Sequence, residues 1–131
     1  MTITEFIEKL KGFSDETEVM FSMFDMHYDQ FFNTNSVHIN YCKDGREYKC
    51  VLFAYSGAND PSLTVKELIG QLTAFKEKHG DLEIDIWYDT GFEQYYPGDT
   101  IRFLKFQTGV EERDICNQMT FKLSIMIDDD F

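Results

Sequence analysis

The densest run of ligand-type side chains is Asp25-Met26-His27-Tyr28-Asp29, where two carboxylates and an imidazole alternate along the chain. Such a set can hold a divalent ion. The competing reading is a solvated loop, and where the chain repeats itself His27 is matched by Gly91. The expectation is therefore no metal and no cofactor. The same stretch opens a second motif, Tyr28-Asp29-Gln30-Phe31-Phe32, which returns as Phe92-Glu93-Gln94-Tyr95-Tyr96. Two readings fit it. Its glutamine can tie a loop to the backbone while the aromatic rings plug a sheet end, or the paired acidic-aromatic loops can form a recognition edge. His38 and His79 each stand alone, one on a strand and one at a helix C-terminus, where a cation suits the helix dipole. No Gly-rich phosphate loop, G-x-S-x-G, C-x-x-C or H-E-x-x-H is present. Without a nucleophile or base beside a positioned partner, the reading is of a protein that is not an enzyme.

Charge narrows the partners. The 131 residues carry 24 acids against 12 bases, a net charge of −12. That field repels phosphate, which argues against direct binding of nucleic acid or anionic membranes and in favour of a basic protein surface. The plainer alternative is that the acidity only solubilises. At 43% hydrophobic and 16% aromatic residues the chain has material for a core. Cys42, Cys50 and Cys116 form no framework spacing. The start shows no signal peptide, and no apolar run nears the ~18 residues of a membrane span. The expected compartment is a reducing cytoplasm, with free thiols.

The elements that must position these residues come in two copies. Thr2-Ile3-Thr4-Glu5-Phe6-Ile7-Glu8-Lys9-Leu10 returns as Thr64-Val65-Lys66-Glu67-Leu68-Ile69-Gly70-Gln71-Leu72, and Tyr48-Lys49-Cys50-Val51-Leu52 returns as Phe121-Lys122-Leu123-Ser124-Ile125. Each copy opens on a capping box, Thr2 with Glu5 and Thr64 with Glu67. A helical stripe follows: Ile3, Phe6, Ile7, Leu10 and Phe13, then Val65, Leu68, Ile69, Leu72 and Phe75. Gly12 and Gly80 mark the stops, with the second helix longer by about one turn. Period-two alternation predicts a strand through Val19, Phe21 and Met23 and another through Ile84, Ile86 and Tyr88. Loops are expected over 25–35 and 89–99. A hairpin turning on Asp44-Gly45 would set Tyr41 opposite Tyr48 and Ile39 opposite Cys50, with Cys42 on the other face. The second hairpin runs from Ile101 and Phe103 to residues 121–127, with Gly109, Glu111, Glu112, Arg113 and Asp114 in its connection. The fold class expected is α+β, a tandem duplication of a helix–strand–strand–strand unit. Two helices pack on mostly antiparallel strands with pseudo-two-fold symmetry. Repeat one is 1–56, the linker 57–62 and repeat two 63–131, all in one domain. Whether the strands make one sheet or two stays open.

The sheet face away from the helices carries Met20, Phe24, Val51, Phe53 and Tyr55 in the first copy, and Trp87 and Met126 in the second. These residues either pack between the halves or form an exposed patch for a partner or a second copy of the chain. The candidate partner-binding residues are Phe24, Asp25, Asp29, Phe31, Phe53, Asp85, Trp87, Asp89, Glu93, Tyr95, Asp128, Asp129 and Asp130. Together they offer an apolar centre with a carboxylate rim.

The phrase Thr64-Val65-Lys66-Glu67-Leu68-Ile69-x-x-Leu72, followed by Asp81-Leu82-Glu83-Ile84, resembles short uncharacterised phage and prophage proteins with a T-V-K-E-L-I-x-x-L helix and a D-x-E-V strand. The proline those proteins often place before the acidic turn is lacking here. The resemblance covers about 25 residues in each copy, and it implies the fold and a mobile-element origin. A small acidic phage product is similar in kind to anti-CRISPR inhibitors. The function expected is therefore inhibition of a host nucleic-acid-binding protein, such as a CRISPR effector, by carboxylates that stand in for phosphates. The alternatives are an assembly module that dimerises through its sheet face and a metal-dependent enzyme at Asp25, His27 and Asp29.

Overall fold

The computed structural model describes residues 1–25, 30–34, 36–55, 63–89, 94–95, 105–113 and 119–127. Helix α1 (Ile3–Leu10) begins where its cap dictates. The Thr2 hydroxyl accepts from the Glu5 N–H at 3.2 Å, and the Thr2 N–H donates to the Glu5 carboxylate at 3.3 Å. Helix α2 (Val65–His79) starts the same way, with Thr64 Oγ1 accepting from the Glu67 N–H at 3.2 Å. The lengths differ by more than the single turn expected, 8 residues against 15. The physical reason is a tightening after Leu10. Gly12 bonds back to Lys9 and Phe13 to Leu10, contacts of the 3₁₀ kind that end the helix and leave Phe13 packing on the core from a turn. Gly80 caps α2 at φ 93°, a conformation glycine adopts without penalty.

Among the described residues the strands, in chain order, are β1 (Glu18–Asp25), β2 (Gln30–Thr34), β3 (Val37–Asp44), β4 (Glu47–Tyr55), β5 (Leu63–Thr64), β6 (Ile84–Asp89), β7 (Gln94–Tyr95), β8 (Lys105–Arg113) and β9 (Met119–Ile127). The fold is mixed α+β, two helices with two sheets of mostly antiparallel strands. The first sheet has the order β2-β1-β9-β8, with β5 also on β1, and the second has the order β3-β4-β6-β7. Two pairings are parallel, β1 with β9 and β4 with β6. Both join an early segment to a late one, Val19 opposite Leu123 and Cys50 opposite Ile84. The helix starts cross over in the same sense. Thr2 bridges Glu83 and the Ile3 N–H donates to Leu82 O at 3.0 Å, while Thr64 pairs with Glu18 and the Val65 N–H donates to Thr17 O at 2.9 Å.

Three local expectations are corrected. The span 25–35 is not all loop. Gln30 to Thr34 form β2, with Gln30 opposite Asp25 and Phe31 opposite Phe24, and Gln94 and Tyr95 form β7, opposite Asp89 and Tyr88. The first hairpin turns on Gly45-Arg46, one residue later than expected, so Tyr41 lies opposite Cys50 and Ile39 opposite Leu52. Gly45 takes φ 64° at the first central position of the turn, where a two-residue loop needs positive φ. The slip moves each partner by two residues, which preserves faces, so Cys42 and Cys50 still point to opposite sides and both thiols are free. In the second hairpin, Gly109, Glu111, Glu112 and Arg113 belong to β8 rather than to the connection. A bulge between Gln107 and Val110 takes up the glycine. Ile101, Phe103, Asp114 and the linker lie outside the described residues.

One cluster of buried side chains joins the elements: Ile3, Phe6, Ile7 and Leu10 of α1, Val19 and Phe21 of β1, Cys50, Leu52 and Ala54 of β4, Leu63 of β5, Val65, Leu68 and Leu72 of α2, and Ile84 and Ile86 of β6. Where the chain leaves the first sheet for the second, a buried hydroxyl ties the two. Thr34 Oγ1 donates to Tyr55 O at 2.7 Å and accepts from the Ser36 N–H at 2.9 Å, and the Tyr55 N–H donates to Ser36 O at 3.1 Å. Thr34→Val keeps the shape but removes both hydroxyl bonds from a buried place. It lowers stability by about 1–3 kcal/mol in a urea titration, whereas a neutral result would mean that water reaches these groups.

Candidate functional site

Two surfaces stand out, on opposite faces of the second sheet. The first is the face away from the helices. Odd-numbered residues of β4 and β6 point there, because Cys50, Leu52, Ala54, Ile84 and Ile86 take the core side. Across the strands this face runs in rows: His38–Phe53–Trp87, Asn40–Val51–Asp85 and Tyr55–Asp89. Phe53, Tyr55, Trp87 and Asp89 are half-buried. Asp85 is only 5% exposed, and its carboxylate accepts from the adjacent Ile86 N–H at 3.0 Å, a position from which it presents little to solvent. Asp89 is the candidate carboxylate of this face that reaches water.

The other candidate residues lie elsewhere. Phe24 and Asp25 sit on β1, opposite Phe31 and Gln30 of β2, in the first sheet. Tyr95 is on β7 opposite Tyr88. His27, Asp29, Glu93, Asp128, Asp129 and Asp130 lie outside the described residues. The candidates therefore divide between two sheets, and the structure brings together Phe53, Trp87 and Asp89. Among the described residues no group of three or more His, Cys, Asp or Glu is placed to hold a metal ion. No helix among them is long and apolar enough to cross a membrane.

The second surface is a groove of about 710 Å³ between β3 and α2. Residues 37–41 form one wall, and Gln71, Ala74, Phe75, Lys78 and His79 form the other. At one end stands a stack of rings. Tyr41 lies between Tyr48, with centroids 4.6 Å apart, and His79, with centroids 4.0 Å apart, in nearly parallel planes. Phe75 meets both Tyr41 and His79 at an angle, and Lys43 Nζ lies 5.7 Å from the centre of the Tyr48 ring. Tyr41 and Tyr48 remain 45% and 46% exposed. Beneath this end Cys50 is fully buried, and its thiol is pushed up to about 12, first by burial and then by the nearby Cys42.

Sequence reasoning missed this groove. It assigned Tyr41 and Tyr48 to the helix-covered face, and the face is right. The signal it lacked is reach: the hairpin projects past the end of α2, so the helix covers Ile39 but stops at the Tyr41 ring. No protein-family model, curated protein or solved structure matches the chain. The functional reading therefore rests on this chain's own residues.

Proposed function

We propose that the chain is a non-enzymatic binding protein that occupies a basic protein surface. The surface is of the kind that host nucleic-acid-binding proteins, CRISPR effectors among them, present to phosphate. The observation that carries this reading is the Phe53–Trp87 pair, half-buried side by side on β4 and β6, with Asp89 one row away, on a chain of net charge −12. Aromatic side chains at the centre of a patch carry much of an interface's energy, and peripheral carboxylates set rate and partner choice. A phage or mobile-element source fits the same reading through the helix-and-strand phrase of residues 64–84.

Duplication underlies the architecture in this reading. Its support is the exchange of equivalents. Replacing β1, β2, β8 and β9 by β6, β7, β3 and β4 turns the strand order of the first sheet into that of the second. The parallel registers agree as well, since Val19–Leu123 maps onto Ile84–Cys50. The crossed helix starts, Thr2 with Glu83 and Thr64 with Glu18, obey the same exchange. The Asp–Gln pairs at the far ends, Asp25 with Gln30 and Asp89 with Gln94, match one residue out of step with the strands. At that end the likeness is of residue type rather than of face.

The test is affinity against salt. Capture from host lysate supplies the partner, and titration then measures it. Binding weakens steeply between about 50 and about 500 mM salt. Trp87→Ser and Asp89→Lys each weaken it about tenfold or more. Affinity indifferent to salt would refute the charge-based reading. A chain that is a tight dimer with Trp87 buried in it would assign the Phe53–Trp87 face to self-assembly instead.

A further inference from the structure

The strand β3 ends its sheet, and no strand among the described residues pairs with its outer edge. The direction of its backbone groups follows from two bonds. The Tyr55 N–H donates to Ser36 O, so residues of even number on this strand turn their groups toward β4. The Cys50 N–H turns the other way, to Glu83 O at 2.9 Å, so its opposite number Tyr41 has none to share with it. By the alternation of an antiparallel pair, Val37, Ile39, Tyr41 and Lys43 direct their N–H and C=O groups outward. Lysine at an edge normally guards against pairing. Here the one lysine stands at the hairpin tip, and the three outward-directed residues before it are apolar or aromatic. The groove against α2 lies alongside that edge, so a strand laid on it would place alternate side chains over Ala74 and Phe75.

Charge selects the occupant. Among the described residues no carboxylate lines the groove, although acids outnumber bases by 24 to 12 in the chain. The lining side chains on this face that carry or can accept positive charge are Lys78 and His79. A second copy of the chain is disfavoured, because two-fold pairing through this edge would lay residues 37–43, none of them acidic, against Lys78. We propose that the free edge of β3 and the groove beside α2 take an extended acidic segment of a partner protein as a fifth strand of the second sheet. Backbone groups of Val37, Ile39 and Tyr41 supply the ladder, Lys78 meets a carboxylate, and the Tyr48–Tyr41–His79 stack closes the end against an apolar side chain. This site lies on the face opposite Phe53 and Trp87 and stands or falls independently of them.

The probe is a capped peptide of alternating valine and glutamate, titrated into the whole ¹⁵N-labelled chain, with the lysine-for-glutamate peptide as control. The glutamate peptide shifts the amides of residues 37–43 and 71–79 and slows hydrogen exchange at Ile39 and Tyr41, and the lysine peptide does neither. Lys78→Glu weakens the glutamate peptide about tenfold. Ile39→Pro removes an outward N–H without touching the β4 ladder, and abolishes binding. Should that variant fail to fold, Lys78→Glu carries the test alone. No shift at β3 up to about 1 mM peptide overturns the proposal. So does equal response to the lysine peptide, a response confined to the Phe53–Trp87 face, or self-association of the free chain through β3.

Discussion

Replacing Phe6 with alanine lowers the stability of the whole chain by about 3–5 kcal/mol, and both sheets are lost together. Phe6 is fully buried, on a helix of only 8 residues. Such a helix has little stability of its own and persists through its packing. The core cluster it belongs to draws on both sheets and both helices: Val19 and Phe21 from the first sheet, Leu52 and Ile86 from the second, and Leu68 and Leu72 from the other helix. A cavity there weakens contacts on which each sheet depends. Most single domains hold a margin of only about 5–15 kcal/mol, so the loss is a large fraction of the whole. Urea unfolding followed by Trp87 fluorescence, which reports the second sheet, and by far-ultraviolet circular dichroism gives coincident curves, both moved to lower denaturant. A variant whose Trp87 signal keeps the wild-type midpoint while the circular dichroism shifts would mean that the sheets are separable.

The second large effect is on Cys50. Its thiol titrates near 12 because it is buried, with Cys42 adding a smaller push in the same direction. At pH 8 a thiol of that kind is ionised on the order of one part in ten thousand, against roughly a tenth or more for an ordinary one. Iodoacetamide at pH 8 therefore leaves Cys50 intact until the chain opens, and Cys42, half-buried on the opposite face, is the comparison within the same chain. The protection reports on the seam between early and late segments, because Cys50 stands opposite Ile84 and its N–H is held by Glu83 O. The same group has a linkage consequence. Below the ordinary thiol value of about 9, folded and unfolded chains both hold the proton, and the full contribution is present. Between there and about 12 the unfolded chain releases it and the folded chain does not, so stability falls as pH rises through that window. Cys50→Ala lacks this component of the decline. Mass spectrometry finding Cys50 alkylated as fast as Cys42 in the folded protein would show that the seam is open.

How much of this was legible depends on what each pattern encodes. Thr2 with Glu5 and Thr64 with Glu67 located both helices, because a cap names a position along the chain. Alternation located β1 and β6, and it fixed the faces of the β3–β4 hairpin even though the turn was placed one residue early, since a slip of two leaves parity intact. Partners were not legible. Val19 and Phe21 declare a buried face, yet nothing in them says that the neighbour is β9 from the other end of the chain. The short pairings of Gln30 with Asp25 and Gln94 with Asp89 were hidden because the adjacent aromatics Phe31-Phe32 and Tyr95-Tyr96 break a period of two. Of the candidate site, Phe53, Trp87 and Asp89 share a face as their odd numbering requires. Asp85 shares it too, but depth of burial is a property of what covers a strand and not of its period. The groove beside β3 was invisible because its existence depends on where α2 stops relative to the hairpin tip.

The fold is held by segments that complete each other across the chain, each helix start and each outer hairpin joined to the opposite half. Nuclear Overhauser contacts along the two parallel pairings test it most directly. Backbone contacts between Val19 and Leu123 and between Cys50 and Ile84, both in one sample of the monomeric chain, are the predicted result. Contacts that instead place β1 beside β4 and β6 beside β9, within each half, would contradict it.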